Sequence, residues 1–156
     1  MTLQKNLQTF LKGIHTQKEQ FDLADLLQKR VQYFKVLHPD VAYSLEIGNI
    51  SLDTSKDAFT RIIDNILSNA GKYNIANGTV HVFLEKDILV IEDSGIGIKN
   101  PSKIFQRFYK EQDRGIGIGM HIVKKLCDEL SIGIEIESKE KKGTKVMLNL
   151  SEVIVK

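Results

Sequence analysis

Apolar positions along this chain recur at two periods, about 3.6 residues in some stretches and two in others, and the switches between them mark the predicted elements. Leu3, Leu7, Phe10, Leu11 and Ile14 share one helical face, so residues 3–14 read as an amphipathic helix ended near Gly13. Alone it is too short to persist and is expected to pack on something. A second helix runs from Leu23 to Leu37 behind Asp22, a plausible N-cap, and stops before His38-Pro39 because proline disfavours helix at the residue before it. Val41 to Ile47 alternates apolar and polar as a half-buried strand does, and Ile50 to Leu52 reads as a second short strand; both look like edges. Asp53 is the expected cap of the strongest helix, where Phe59, Ile62, Ile63, Ile66, Leu67 and Ala70 form a continuous stripe.

Beyond the Asn77-Gly78 turn, Thr79 to Glu85 and Ile88 to Asp93 predict a hairpin across Lys86-Asp87, and the run ILVI reads as buried on both faces. The loop from Gly95 to Pro101 leads to a short helix around Ser102 to Phe108. A further helix starts inside GIGIG with its stripe at Ile118, Ile122, Val123, Leu126, Cys127 and Leu130. Two alternating strands, through Ile132, Ile134, Ile136 and through Val146, Leu148, Leu150, close the chain around Lys141-Lys142-Gly143. Paired strands and helices with short connections predict an α+β fold: a two-layer sandwich with a mixed, mostly antiparallel sheet and helices on one face.

Composition narrows this picture. With 156 residues, 42% hydrophobic and 27% charged, there is material for one domain, assigned to residues 21–156, preceded by a leader or linker at 1–20. Twenty-two basic against 20 acidic residues, with no basic run beyond Lys124-Lys125 and Lys141-Lys142, argue against a nucleic-acid surface. The single Cys127 excludes an internal disulfide and fits a reduced, cytoplasmic setting. The sequence shows no signal-peptide core and no stretch of the roughly 20 apolar residues that spans a bilayer, so no membrane contact is expected of it.

Candidate chemistry lies on polar flanks and glycine turns. Asn65, Asn69 and Lys72 are spaced four and three apart, hence on one side of a helix. Magnesium takes oxygen ligands and keeps waters, so the Asn69 carboxamide with phosphate oxygens could complete its shell; Lys72 would neutralise phosphate, and Tyr73 offers a ring beside a base. Asp93 ends an apolar strand ahead of Gly95 and Gly97, where a carboxylate at a pocket floor can accept from an adenine amino group. The bare glycine amides of Gly115, Gly117 and Gly119 at a helix start suit phosphate. Each piece alone also has a bland reading, as a solvent face or a simple turn.

In order, NILSNAGKY, DSGIGI, IFQRFY and GIGIGMHIVKKL closely resemble the asparagine, first glycine, phenylalanine and second glycine boxes of the catalytic and ATP-binding domain of sensor histidine kinases, a likeness covering residues 21–151. SKEKKGTKVMLNL is similar to that family's last hairpin. The resemblance implies the Bergerat-type ATP-binding fold and ATP with Mg²⁺ as ligands. It implies that Asn69 binds the metal, Asn65 and Lys72 face phosphates, Tyr73 flanks the nucleotide and Asp93 reads adenine. It further implies Gly95, Gly97 and Ile98 by the base, Gly115, Gly117, Ile118 and Gly119 by the phosphates, Thr144 near the adenine floor, and Phe105 and Phe108 anchoring a mobile lid. The implied partners are a histidine-bearing dimerisation domain of the same parent and a response regulator. The implied parent is a membrane-anchored receptor whose cytoplasmic portion this is, with the substrate histidine upstream of Met1.

None of His15, His38, His81 and His121 sits in the family's phosphoacceptor motif, so residues 1–20 read as a linker or the stump of a dimerisation helix. Where related hydrolases carry a glutamate one turn before the metal-binding asparagine, this chain has Asn65, which cannot serve as a base at neutral pH and so favours phosphate transfer over hydrolysis. Three departures stand out. Only KEQDR lies between Tyr109 and Gly115, a short lid; Ile116 replaces a common hydroxyl residue; and Lys110 stands where arginine is frequent, with Arg114 as its expected compensation at the phosphates. Two other readings stay open: an anti-sigma-factor-like serine kinase, and a degenerate nucleotide-binding interaction module.

Overall fold

The computed structural model describes residues 17–106, 110–111, 115–116 and 118–156, with the main chain alone at 110, 111, 115, 116 and 118. Strand β1 (Glu19–Asp22) leads into α1 (Leu23–Leu37), followed by β2 (Ala42–Glu46), β3 (Ser51–Thr54) and α2 (Lys56–Lys72). The hairpin strands β4 (Thr79–Glu85) and β5 (Ile88–Asp93) come next, then a 3-10 turn at Pro101–Lys103 and the two-residue strands β6 (Lys110–Glu111) and β7 (Gly115–Ile116). Helix α3 (Ile118–Leu130) and strands β8 (Gly133–Lys139) and β9 (Gly143–Asn149) complete the order.

The main sheet has five strands in the order β2-β4-β5-β9-β8. Only β2 and β4 run parallel; β4-β5, β5-β9 and β9-β8 are antiparallel. The parallel pair is possible because β3 and α2 intervene and return the chain to the sheet in the same direction. Period two places Val80, Val82, Leu89, Ile91, Val146 and Leu148 on the inward face, all buried beneath the helices. On α2 the stripe predicted from sequence is buried without exception, Phe59, Ile62, Ile63 and Leu67 fully. That burial, at roughly 25 cal/mol per Å² of apolar area, is what fixes which way the polar flank of α2 faces. The mixed, mostly antiparallel sheet under helices is the two-layer α+β arrangement expected.

Local signals differ from the sequence reading at three places. Asp22 caps α1 as predicted, its Oδ1 accepting from the Asp25 N–H at 3.1 Å. Asp53 does not cap α2: it pairs with Gln20 inside β3, and the cap is Ser55, whose Oγ accepts from the Ala58 N–H at 3.2 Å. Strand β1, with Phe21 as its one buried apolar side chain, was not signalled by period; it pairs antiparallel with β3 in a separate two-stranded sheet. The helix predicted at Ser102 to Phe108 is a 3-10 turn at Pro101–Lys103, with residues 107–109 outside the described residues. The leader helix predicted at 3–14 also lies outside them. Among the described residues no helix is long and apolar enough to cross a membrane.

Between α1 and α2, Arg30 grips Asp64 through both carboxylate oxygens, at 2.7 and 2.9 Å, and lies 4.9 Å from the Tyr33 ring centroid. Against the opposite end of α2, Gly71 lets Tyr43 of β2 and His38 come so close that an added Cβ would collide with the Tyr43 hydroxyl and the His38 ring. The phenol donates to the Leu67 carbonyl at 3.4 Å. Burial, and secondarily the Asp93 charge, pushes Tyr43 from 10.0 up to about 12.

Candidate functional site

One row of residues crosses all five strands near the end of β5. Register pairs Tyr43 with Val80, Val80 with Asp93, Asp93 with Thr144, and Thr144 with Ser138, so these side chains share the inward face. Above the row, α2 contributes Asn69 and α3 contributes Met120 to a narrow recess with about 20 Å³ of room for water-sized spheres. Its walls are apolar, among them Ile66, Ala70, Ile91 and Ile136, and its polar side chains are Asn69, Asp93 and Thr144. Three residues that the sequence places in separate motifs thus meet in one cleft. An apolar slot with a few convergent polar groups suits a flat heterocycle with a polar edge.

The polar groups are held by the glycine turn after β5. The Asp93 Oδ1 accepts from the Gly95 N–H at 2.8 Å. A side chain at Gly95 would stand 2.5 Å from the Tyr73 carbonyl, so the turn lies directly against the end of α2. The Ile96 N–H donates to that same carbonyl at 3.0 Å. Gly97 has φ +76, and a Cβ there would strike the Lys139 carbonyl. From the other side, the Lys141 N–H donates to the Ile96 carbonyl at 2.7 Å. The first glycine segment is therefore clamped between the C-terminal end of α2 and the β8-β9 turn. Ile98, 2% exposed, closes one edge of the recess.

Asn65 stands one turn before Asn69. Its Nδ2 donates to the Arg61 carbonyl at 2.8 Å, and its Oδ1 faces α3, where a Cβ at Gly119 would lie 3.0 Å away. Glycine there allows the first turn of α3 to approach the asparagine flank. Lys72 is exposed, its Nζ 5.4 Å from the Tyr73 ring centroid, and it is not among the residues lining the recess. Tyr73 caps α2, its N–H donating to the Asn69 carbonyl at 3.0 Å. Phe105 packs partly buried against the core, and its carbonyl lies 3.4 Å from His121 Nδ1. Gly115 pairs with Glu111, and Lys110 with Ile116, through the main chain. Phe108, Arg114 and Gly117, and the side chains of Lys110 and Ile118, lie outside the described residues.

Sequence reasoning missed two supports. Ser138 accepts from the Ile98 N–H at 2.7 Å and lies 2.7 Å from the Thr144 hydroxyl. Its signal was present: a hydroxyl in phase with Ile134 and Ile136 must point inward. Behind Asp93, the Asn74 Nδ2 donates to the Ala70 and Thr79 carbonyls, both at 3.0 Å, while its Oδ1 accepts from Ser94 Oγ at 3.1 Å. That knot joins α2, β4 and the glycine turn, and no period announces it. Among the described residues no three His, Cys, Asp or Glu side chains cluster as a metal site. Asn69 alone offers one carboxamide oxygen, the kind of hard ligand magnesium takes when phosphate oxygens and waters complete its shell.

Comparison with known proteins agrees with this geometry. Sensor histidine kinase WalK of Bacillus subtilis (strain 168) is 32% identical over 139 residues, 80% of this chain and 23% of that protein. Signal transduction histidine-protein kinase ArlS of Staphylococcus aureus (strain USA300) is 28% identical over 145 residues, 84% of this chain and 32% of that protein. The chain thus spans 23% and 32% of the length of these two relatives. The mycobacterial sensor histidine kinase MprB has the same fold, with a TM-score of 0.78 at 21% identity, over 88% of this chain and 98% of that one. The family described as histidine kinase-, DNA gyrase B- and HSP90-like ATPase matches residues 54–154, the stretch that holds α2, the glycine turn and the closing hairpin. Sequence and cleft coincide over the same residues, and the chain belongs to the histidine kinase-, DNA gyrase B- and HSP90-like ATPases.

Proposed function

We propose that this chain is the ATP-binding catalytic domain of a two-component sensor histidine kinase, acting from the cytoplasmic part of a membrane-anchored parent. The observation that carries this is the meeting of Asn69, Asp93 and Thr144 in one apolar recess, with Asn65 where a hydrolase needs a base. In this reading the adenine lies between Ile98 and Ile91 with its amino group at Asp93. Tyr73 flanks the nucleotide, and Gly95 and Gly97 let backbone come close to the base. Asn69 gives a carboxamide oxygen to magnesium, which neutralises phosphate charge when bound. Asn65 and Lys72 face the phosphates from α2, Gly115 and Gly117 from the segment leading into α3, and Ile118 and Gly119 from its first turn, where helix N–H groups favour anions. Lys110 and Arg114 supply further positive charge, and Phe105 and Phe108 anchor the segment between.

The chemistry is transfer of the γ-phosphoryl group to a histidine nitrogen on a separate dimerisation domain. The bond from phosphorus to the β-γ bridging oxygen breaks, a phosphorus–nitrogen bond forms, and ADP leaves. The imidazole proton goes to a group on the partner, because Asn65 accepts none. What this chain supplies is positioning and charge neutralisation, the main terms in phosphoryl transfer. The phosphoryl group then passes to a response regulator.

Two measurements test the reading. Calorimetry with ATP and ADP, with and without magnesium, should give saturable heat; none at millimolar nucleotide sinks it. Radiolabelled ATP and the dimerisation domain of the same parent should label histidine, an acid-labile phosphoramidate. Binding without such labelling would leave a nucleotide-sensing module, and label on serine would point to an anti-sigma-factor-like kinase.

A further inference from the structure

The hydroxyl of Ser138 has three neighbours at hydrogen-bond distance and a single proton. The Ile98 N–H, 2.7 Å away, can only donate to it. The Gly143 carbonyl, 2.9 Å away, can only accept from it. The Thr144 hydroxyl, 2.7 Å away, can do either. If Ser138 gave its proton to Thr144, its oxygen would face the Gly143 carbonyl oxygen at 2.9 Å with no hydrogen between them, a repulsive contact. Only one arrangement puts a proton in every contact: Ile98 donates to Ser138, Ser138 donates to Gly143, and Thr144 donates to Ser138. Thr144 has then used its single proton on the side away from the recess, although its side chain lines that recess.

We infer that Ser138 is a positioning residue: it fixes the direction of the Thr144 hydroxyl, so that the recess floor presents acceptors alone and selects a 6-amino purine over a 6-oxo purine. The inference rests on the nucleotide reading above and adds to it a residue and a selectivity. Asp93 is the register neighbour of Thr144 and an acceptor while ionised. A 6-amino group offers two hydrogens to such a pair. A 6-oxo group brings a third acceptor, and two buried acceptors face to face are penalised by about the cost of an unmade hydrogen bond. The same hydroxyl ties the glycine turn to the closing hairpin through Ile98, beside the Lys141 to Ile96 bond at 2.7 Å.

The test compares ATP with ITP by calorimetry on the whole chain, for the wild type, Ser138→Ala and Ser138→Thr. Wild type should favour ATP by about tenfold or more, as expected for one mismatched buried hydrogen bond. Ser138→Ala frees the Thr144 proton to turn into the recess, so the ATP:ITP ratio should fall several-fold; Ser138→Thr keeps a hydroxyl and should keep the ratio. A purely structural role would weaken both nucleotides alike, and an unchanged ratio in Ser138→Ala overturns the inference. In nucleotide-free wild-type protein, NMR should show slow exchange of the Ile98 amide and the Thr144 hydroxyl proton. Fast exchange at either overturns the hydroxyl chain without reference to nucleotide, whereas slow exchange with no nucleotide heat would condemn the ATP reading instead.

Discussion

Gly71→Ala is an informative perturbation because two principles oppose each other there. In an exposed helix interior the change would stabilise by about 1 kcal/mol, since alanine loses less backbone entropy than glycine. At Gly71 the new methyl meets the Tyr43 hydroxyl and the His38 ring, both closer than real Cβ contacts allow. Neither is the loose end of a flexible chain: Tyr43 is 5% exposed, and His38 is stacked on Phe34 with ring centroids 6.4 Å apart. Overpacking of this kind costs about 1–3 kcal/mol, and displacing Tyr43 from the Leu67 carbonyl adds about 1 kcal/mol. The net expectation is a loss of about 1–3 kcal/mol. Urea unfolding followed by circular dichroism measures it. A double-mutant cycle with Tyr43→Phe, which removes the hydroxyl, should show the Gly71→Ala cost shrinking by at least about 0.5 kcal/mol. Because Asn69 and Tyr73 flank Gly71, ATP affinity should fall together with stability. A variant as stable as the wild type, or more so, would mean that helix propensity wins and that the close approach carries no weight.

Three further outcomes are expected. Asn69→Ala should remove the magnesium dependence of nucleotide binding, while Asp93→Asn should weaken ATP and ADP alike; calorimetry with and without EDTA separates them, and magnesium-assisted affinity persisting in the first variant would refute the metal assignment. Burial holds the Tyr43 phenol and the Cys127 thiol up at about 12, the native state keeping protons that the unfolded chain releases near 10.0 and 9.0. Their contribution is complete below about pH 9 and is lost as pH rises toward 12, by at most about 1.4 kcal/mol per pH unit for each group; urea midpoints that stay level from pH 9 to 11 would contradict this, and Tyr43→Phe should flatten the decline. For Arg30 and Asp64, a cycle of alanine variants should give a coupling of about 1 kcal/mol, at the upper end for a partly exposed pair because it is bidentate, and smaller in high salt.

Where burial alone decided structure, the sequence was sufficient. The stripe from Phe59 to Ala70 and the Lys86-Asp87 hairpin appear as read, because period and turn chemistry are local. Partner choice was not local: nothing in AYSLE says that β2 lies parallel to β4, nor that EQFD finds β3. Asp53 was misread for the same reason, since pairing with β1 extends β3 through Thr54 and moves the cap to Ser55. At the site, motif order placed Asn69, Asp93 and Thr144 together, whereas the clamp on Gly97 and the three-way contact at Ser138 depend on how the last hairpin meets the glycine turn.

The ninth strand, although last in chain order, sits inside the sheet between β5 and β8. During synthesis, therefore, β5 keeps a bare hydrogen-bonding edge until residues 143–149 have left the ribosome, and Thr144 arrives with the strand that covers it. Nascent or prematurely stopped chains ending before residue 143 carry the helices and both early hairpin strands but have no floor for a ligand and an edge open to other chains. Arrival of β9 thus closes the sheet and supplies the ligand floor in one event, so copies lacking it are a burden for chaperones instead of weak competitors for ligand.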